Sequence, residues 1–209
     1  MQKETANILQ AAEEKLRETV EDAKHLVGLS ERDAQILAER KEVLLSWADE
    51  LVEDFYAQLL RYPKTAQIFE RTVPVERVKK KFKKWYEELV SGKVDEQFYK
   101  RQFFVGLVHI YYGIENDIMI FMANHLKRSF LNKAFEHFEP DEAAYVFQAF
   151  SKLVDFVIAL TVEGYTFTLY QGLTDVAGLK PSLVERMMKM KLQELYELFK
   201  KEFLAVEQS

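Results

Sequence analysis

The sequence contains no cysteine, and this absence removes several kinds of protein at once. Without a thiol there is no disulfide framework, no thiolate metal site, no iron–sulfur cluster and no cysteine nucleophile. Glycine and proline are also scarce, with 7 and 4 among 209 residues, so the chain has few turn signals. A chain that is poor in turns and rich in Glu, Lys, Leu and Ala is typical of an all-helical protein.

An excess of positive charge and long apolar runs are missing as well. The 29 basic and 34 acidic residues give a net charge of −5, which is a poor match for a nucleic-acid-binding protein. The longest apolar run lies between Asp155 and Glu163 and is far shorter than the roughly 20 residues that span a bilayer. The polar start, Met1–Glu4, lacks the apolar stretch of a signal peptide. We therefore expect a cytoplasmic protein that has no membrane span and binds no nucleic acid.

The length of the chain and its rare glycines and prolines predict one helical domain, or one domain with an extension. The rare glycines and prolines divide the chain into eight or nine helices, one of them very short. They cover about residues 4–26, 30–60 (as two helices), 65–71, 74–91, 95–112, 116–138, 141–171 and 181–206, with a linker at 172–180.

Chemical motifs are mostly absent: there is no GxGxxG, P-loop, GxSxG, HExxH or EF-hand pattern. No two of the four histidines are spaced as a metal-binding pair on one helix. His109 stands out because its neighbours on both sides are apolar or aromatic. One imidazole holds a bare metal ion poorly but suffices as the axial ligand of a haem iron. The 16 Phe and 10 Tyr residues suit a haem pocket or a plain core equally well, so an ordinary core role for His109 stays open.

Three local motifs resemble the sensor-globin family, which comprises the globin domains of globin-coupled sensors and has the protoglobins as relatives. Phe55-Tyr56-x-x-Leu59-Leu60 resembles the second core helix with its distal tyrosine. Residues 77–84, followed by Leu-x-Ser-Gly at 89–92, resemble the distal helix and its ending. Residues 95–98 and then 106–114, with the pattern Gly-Leu-Val-His-x-x-x-Gly-Ile, closely resemble the stretch that carries the proximal histidine. The separation of 53 positions between Tyr56 and His109 fits the family without a gap, and the resemblance covers roughly residues 30–170.

This resemblance implies an all-α globin fold, a helix sandwich lacking a distinct D helix, with an extra N-terminal helix and a C-terminal helical extension. The expected domains are an N-terminal helical extension at 1–29, a haem-binding sensor globin domain at 30–172, and a linker with an amphipathic helix at 173–209. The implied cofactor is haem b, iron protoporphyrin IX.

The resemblance also assigns residues to the haem site. His109 is the implied iron ligand through Nε2, and its Nδ1–H then needs an acceptor that fixes the tautomer. Family members often have a tyrosine ten positions later, where this chain has Met119, so the acceptor comes from elsewhere, such as a backbone carbonyl. The implied haem-contacting residues are Tyr56, Phe69, Val78, Lys81, Phe82, Val105 and Met119.

Several of these positions keep more than one interpretation. Tyr56 is the candidate hydrogen-bond donor to bound O₂, or else a buried tyrosine bonded to a carbonyl. Phe82 would sit over the iron, where it cannot coordinate, which argues against a bis-histidine state. Phe69 either packs on the porphyrin or belongs to the core.

Lys81 departs from the family, because several sensor relatives have a small hydroxyl residue at this position. It either reaches a haem propionate, belongs to a solvated basic face, or, as a third option, bonds the iron directly. The remaining histidines are expected to be surface or packing residues; they are His25, His125 and His137.

Haem binding alone leaves three functions open. The first is a gas sensor, in which O₂, CO or NO shifts the helix packing and a partner reads the shift. The second is a haem enzyme, such as an NO dioxygenase or a peroxidase-like protein, supplied by an external reductant. The third is a haem-free regulatory module with a globin fold, which the spacing of His109 and Tyr56 disfavours.

Two apolar helix faces predict protein partners. Sensor globins commonly pair through their last two core helices, so the long helix at 141–171 could take part in a homodimer, although the same face could be internal core. The apolar stripe of the last helix, about 181–206, could pack on its own globin or contact a signalling partner. The chain is then either a single-domain sensor globin or the sensory domain of a longer protein.

Overall fold

A computed structural model describes residues 2–71 and 73–204, and this part of the chain forms ten helices and no strand. The helices are α1 (Gln2–Val27), α2 (Glu31–Glu39), α3 (Lys41–Ser46), α4 (Ala48–Arg61), α5 (Pro63–Arg71), α6 (Val75–Val90), α7 (Glu96–Tyr111), α8 (Asn116–His137), α9 (Pro140–Ala177) and α10 (Pro181–Leu204). The predicted all-helical architecture is therefore confirmed for the described residues.

Capping residues set several helix boundaries where the sequence predicts them. Ser30 begins α2, and its N–H and Oγ both donate to Asp33 Oδ2, at 2.8 and 2.7 Å. Asp95 begins α7 by accepting the N–H of Phe98 at 2.8 Å. Tyr62 ends α4 in an extended conformation, as expected for a residue before proline.

Two segments differ from the predicted helices. The region expected as two helices over 30–60 forms three, because the backbone leaves regular helix at Arg40, whose Nε donates to Glu142 Oε1 at 2.8 Å, and turns again at Trp47. The predicted linker at 172–180 is shorter than expected, since α9 continues to Ala177. A single glycine inside a helix costs only about 1 kcal/mol relative to alanine, so Gly172 does not stop α9. The predicted end of the last helix, Val206, lies outside the described residues.

The chain divides into two compact units, Met1–Thr168 and Leu169–Ser209. In the second unit, the Tyr170 hydroxyl donates to the carbonyl of Pro181 at 3.1 Å, and Thr174 and Val184 are buried. Most apolar side chains of α10 are exposed. They are Leu183, Met187, Met188, Met190, Leu192, Tyr196, Leu198, Phe199 and Phe203. The domain boundaries expected from the sequence stay a prediction.

Stacked aromatic rings form the core of the first unit. Phe130 and Phe150 stack with centroids 3.7 Å apart and join α8 to α9. Trp47 meets the edge of Phe130 at 5.3 Å, and Tyr86 meets Phe150 at 6.2 Å. All four rings are almost fully buried, and their edge and face contacts hold these helices together.

Two glycines allow α7 and α9 to touch backbone to backbone. A Cβ at Gly106 would collide with the carbonyl oxygen of Thr161 and the N–H of Tyr165, and a Cβ at Gly164 would collide with the carbonyl of Phe103. Only glycine fits such a close approach. This contact fixes where α7 lies against α9.

One helix of the described chain, α9, is long and apolar enough to cross a membrane by length and composition alone. Half of its most apolar stretch is buried inside the protein. Its buried residues include Val146, Phe150, Leu153 and Leu160, which belong to the main core. The core helix of a soluble protein has the same features, so α9 is weak evidence for a membrane span.

Candidate functional site

The imidazole of His109 has one nitrogen engaged and the other available. On the last turns of α7, Nδ1 lies 2.8 Å from the carbonyl oxygen of Val105, four residues earlier. Burial lowers the pKa of His109 and outweighs the opposing effect of the Val105 hydrogen bond, so the ring is neutral at pH 7. A neutral ring that donates from Nδ1 presents a lone pair at Nε2. Nε2 has no hydrogen-bond partner among the residues described.

Local backbone signals explain why α7 ends just after His109. Gly113 has a φ of 70°, in the left-handed region that ends helices. The N–H of Ile114 donates to the carbonyl of His109 at 2.8 Å and closes the end of the helix. The spacing Gly106, His109, Gly113 therefore combines a close helix contact, an imidazole and a helix stop within eight residues.

Tyr56 is a buried residue whose hydroxyl is free to donate. The residue is only 6% exposed, and burial raises the pKa of its phenol, which stays protonated at physiological pH. Its ring meets the edges of Phe69 at 5.8 Å and Phe82 at 5.9 Å. No hydrogen bond to the hydroxyl is present in the described part of the chain, so the alternative of a tyrosine bonded to a carbonyl finds no support there.

Further aromatic side chains pack next to Tyr56 and along α6. Phe82 stacks on Phe55 of α4 at 4.3 Å and on Trp85 at 5.1 Å. Trp85 Nε1 donates to the side-chain oxygen of Gln102 on α7 at 3.0 Å. Phe55 was part of a family motif in the sequence, but no site role was predicted for Phe55, Trp85 or Gln102, although two signals were present. Trp85 follows Phe82 by three residues, and Gln102 precedes His109 by seven, so each pair shares one helix face.

The structure brings together some of the predicted residues and leaves others apart. Tyr56, Phe69 and Phe82 are in ring contact, and Val105 contacts His109. Val78 and Met119 are half-buried on α6 and α8, and no recorded contact joins either of them to His109 or Tyr56.

Lys81 lies exposed on α6, and no acidic partner for its ammonium is found among the described residues. Its position suits a solvated basic face, since exposed lysines need no partner. The roles of a propionate contact and of a direct iron bond stay predictions.

His125 and His137 make ordinary contacts, and His25 lies exposed on α1. His125 Nε2 lies 2.8 Å from Asp54 Oδ2, which also accepts the hydroxyl of Ser129 at 2.6 Å. His137 Nδ1 lies 2.9 Å from the carbonyl of Lys133, and its ring contacts Trp47 at 5.1 Å. These arrangements agree with packing roles.

The donor set fits a haem better than a bare metal ion. Within the described ranges there is no group of three or more His, Asp or Glu side chains that could hold a metal. A single neutral imidazole with a free Nε2 matches the one axial position that a protein supplies to a porphyrin iron. The unpaired Tyr56 hydroxyl can donate to an acceptor, and the rings next to it are apolar.

Comparison with known proteins agrees with this arrangement. The sequence profile of the family described as protoglobin matches residues 16–169. No curated protein sequence matches significantly. The fold is similar to the globin domain of the Geobacter sulfurreducens globin-coupled sensor, with a TM-score of 0.64 and 20% identity over 69% of this chain and 96% of that one.

It is also similar to the globin domain of E. coli DosC in two crystal forms. The ferric form gives a TM-score of 0.60 at 20% identity and the ferrous form 0.60 at 21%, each over 69% of this chain and 97% and 99% of theirs. At these identities the likeness shows the fold, and the predicted all-α globin fold is confirmed.

Proposed function

The chain belongs to the protoglobin family, and we propose that it binds haem b through His109 and senses a diatomic gas. The observation that carries this proposal is the pair of unpaired polar atoms in an apolar setting. Nε2 of His109 has a lone pair and no partner in the described structure, and the Tyr56 hydroxyl has a proton and no acceptor there. A haem, when bound, supplies an iron that takes one axial imidazole and one gas molecule.

His109 is proposed to hold the iron. The Val105 carbonyl accepts the Nδ1 proton at 2.8 Å, which fixes the tautomer and orients the ring. Burial keeps the imidazole neutral, and only the neutral form is a ligand. Val105 thus takes the place of the tyrosine that relatives have ten residues after the histidine.

Tyr56 is proposed to donate a hydrogen bond to the bound gas. Its phenol stays protonated because burial raises its pKa, so it acts as a donor over the whole physiological range. Phe69 and Phe82 pack against its ring and make its surroundings apolar. Phe82 has no atom that can coordinate iron, which leaves the gas position open.

The sensor role is supported by the family and by two apolar surfaces. The G. sulfurreducens structure is, by its name, a domain of a globin-coupled sensor. Exposed aromatic residues on α8 and α9, which are Phe121, Phe135 and Tyr145, suit pairing of two copies through these helices. The exposed stripe of α10 suits a helical signalling partner. We propose that this sensor acts in the cytoplasm and that residues 30–172 form its haem-binding domain.

Titration of the purified haem-free chain with hemin tests the proposal. The Soret absorbance is expected to saturate at one haem per chain. The His109→Ala variant should lose the normal axial ligation, and added imidazole should restore it by filling the same position. His125→Ala is the matched control, because its ring pairs with Asp54 instead.

Two results would contradict haem binding through His109. One is the absence of a saturating Soret band in the unchanged chain. The other is an identical spectrum in the His109→Ala and His125→Ala variants.

A further inference from the structure

A part-buried hydrogen bond connects the helix beside Tyr56 to the helix that carries His109. We propose that the Trp85–Gln102 bond sets the rotation of α7 and thereby the direction of the His109 imidazole, so that changes beside Tyr56 reach the iron ligand. This inference rests on the proposed function for its effect on gas binding. The positions of Trp85, Gln102 and His109, from which it is argued, do not rest on the proposed function.

A continuous series of ring contacts leads from Tyr56 to this bond. Tyr56 touches the ring of Phe82 at 5.9 Å, and Phe82 stacks on Trp85 at 5.1 Å with the planes 29° apart. Close-packed rings cannot move independently, because interiors have little free volume. A displacement at Tyr56 is therefore passed to the indole of Trp85.

Movement of Trp85 acts on Gln102 of α7 through their hydrogen bond. The residue is 2% exposed, and the indole N–H is donor only, so the amide oxygen must face it. A buried amide whose partner moves away leaves an unsatisfied polar group, which is unfavourable. Gln102 is thus expected to follow Trp85. The other recorded bond between α6 and α7, Arg101 to Glu88, is exposed and holds the helices weakly.

The position of Gln102 determines where His109 points. Seven residues are close to two turns of an α-helix, so both side chains lie on the same face of α7. Between them, Gly106 presses α7 against the backbone of α9, and the Gln102 carbonyl accepts the hydroxyl of Thr161 at 3.3 Å. These contacts keep α7 from sliding away. The motion that remains is rotation about its own axis, and the Trp85–Gln102 bond resists it.

Three substitutions separate this role from simple packing. Trp85→Phe keeps a ring that can stack on Phe82 and removes the indole donor, although the new ring is smaller. Gln102→Leu removes the acceptor and keeps a side chain of similar size. Trp47→Phe is the matched control, because Trp47 is the only other tryptophan and its buried Nε1 has no partner in the described structure.

The haem-loaded full-length variants are compared by CO binding kinetics and by the iron–histidine stretching band. We expect Trp85→Phe and Gln102→Leu to bind one haem per chain, to shift that band, and to change the CO association rate by on the order of three- to tenfold. Trp47→Phe should resemble the unchanged protein in both readouts. Unchanged kinetics and an unchanged band in both Trp85→Phe and Gln102→Leu would overturn the proposal.

A second readout needs no haem. In the ¹⁵N NMR spectrum of the haem-free chain, the His109 Nδ1 signal reports its bond to the Val105 carbonyl and is assigned by its loss in His109→Ala. We expect Trp85→Phe to shift this signal, although Trp85 does not touch His109. If the chain takes up no haem, the proposed function fails, whereas an unmoved His109 signal contradicts the positioning role by itself.

Discussion

At the scale of single residues, the polar groups of His109 and Tyr56 determine the chemistry that we propose for this protein. His109 and Tyr56 were predicted from their residue types, spacing and resemblance to a known family, and the structure gives each of them a free polar atom. The acceptor for His109 could be predicted only as a class, a backbone carbonyl, and the structure identifies Val105. The Trp85–Gln102 bond could not be predicted, because it joins residues of two different helices.

Removal of the Tyr56 hydroxyl should weaken O₂ retention. In the Tyr56→Phe variant the ring contacts with Phe69 and Phe82 are kept while the donor is lost. A hydrogen bond of about 1.4 kcal/mol corresponds to a tenfold change, so O₂ should dissociate about ten times faster. CO, a poorer hydrogen-bond acceptor, should be affected much less. Stopped-flow measurement of both rates checks this, and equal effects on the two gases would argue against a donor role.

Asp33 is expected to make stability depend on pH in the acidic range. Burial alone would raise the pKa of Asp33, but the hydrogen bonds from Ser30 and the Lys152 ammonium, 3.1 Å away, outweigh it and hold the pKa below its ordinary value. A lowered folded-state pKa stabilises the fold above about pH 4, the ordinary value, and this stabilisation is lost as the pH falls through the folded-state value.

The Asp33→Asn variant should therefore lose about 1–3 kcal/mol of unfolding free energy at pH 7. The difference from the unchanged protein should narrow as the pH falls below about 4, because Asp33 of the unfolded chain takes up a proton first and folded Asp33 is neutralised as the pH falls through its lowered pKa. Glu31→Gln, an exposed acidic residue in the same first turn, is the control and should change little. Urea denaturation across pH 3–7 measures this. A difference that is constant with pH would show that the charge of Asp33 contributes nothing.

At the scale of helices, local sequence signals and tertiary contacts together determine where each helix begins and ends. Caps and prolines predicted the starts of α2, α7 and α10 because such signals act within one turn. The break at Arg40 was missed because its partner, Glu142, lies on another helix. The continuation of α9 past Gly172 was missed because glycine was taken as a stop, although it only weakens a helix.

The contact between α7 and α9 should tolerate no side chain at Gly106. In Gly106→Ala the new Cβ would meet the backbone of Thr161 and Tyr165, which cannot yield as a side chain does. We expect a loss of about 1–3 kcal/mol in unfolding free energy. Gly172→Ala is the control, since a Cβ there meets nothing within 4 Å and alanine favours a helix by about 1 kcal/mol.

Chemical denaturation of the two glycine variants is the direct comparison. Equal stability of Gly106→Ala and Gly172→Ala would mean that α7 and α9 do not approach as closely as described. That result would also weaken the argument that α7 can only rotate.

At the scale of the whole molecule, the chain combines a globin fold with exposed apolar surfaces. The fold was predictable because a helical composition and a histidine-centred motif agree with each other. The division after Thr168 was not, because it lies inside the continuous helix α9. The proposed pairing of two chains would cover the exposed aromatic side chains of α8 and α9.

Light scattering should give twice the mass of one chain at micromolar concentration. Phe135→Glu places a charge among the exposed aromatic residues of α8 and α9, and it should shift the protein toward the monomer because burying an unpaired charge is unfavourable. Phe104→Glu is the matched control, since Phe104 is similarly exposed but lies on α7. A monomeric mass for the unchanged chain, or equal effects of the two variants, would contradict pairing through α8 and α9.

The central claim is that His109 and Tyr56 form part of a haem site in which a gas molecule can reach the iron. The visible spectrum of the purified chain, loaded with haem, reduced and then exposed to CO, tests it most directly. The account predicts a five-coordinate ferrous spectrum that CO converts completely to a six-coordinate one. A six-coordinate ferrous spectrum before CO is added would show that a side chain, with Lys81 the first to examine, already fills the gas position, and this would contradict the claim.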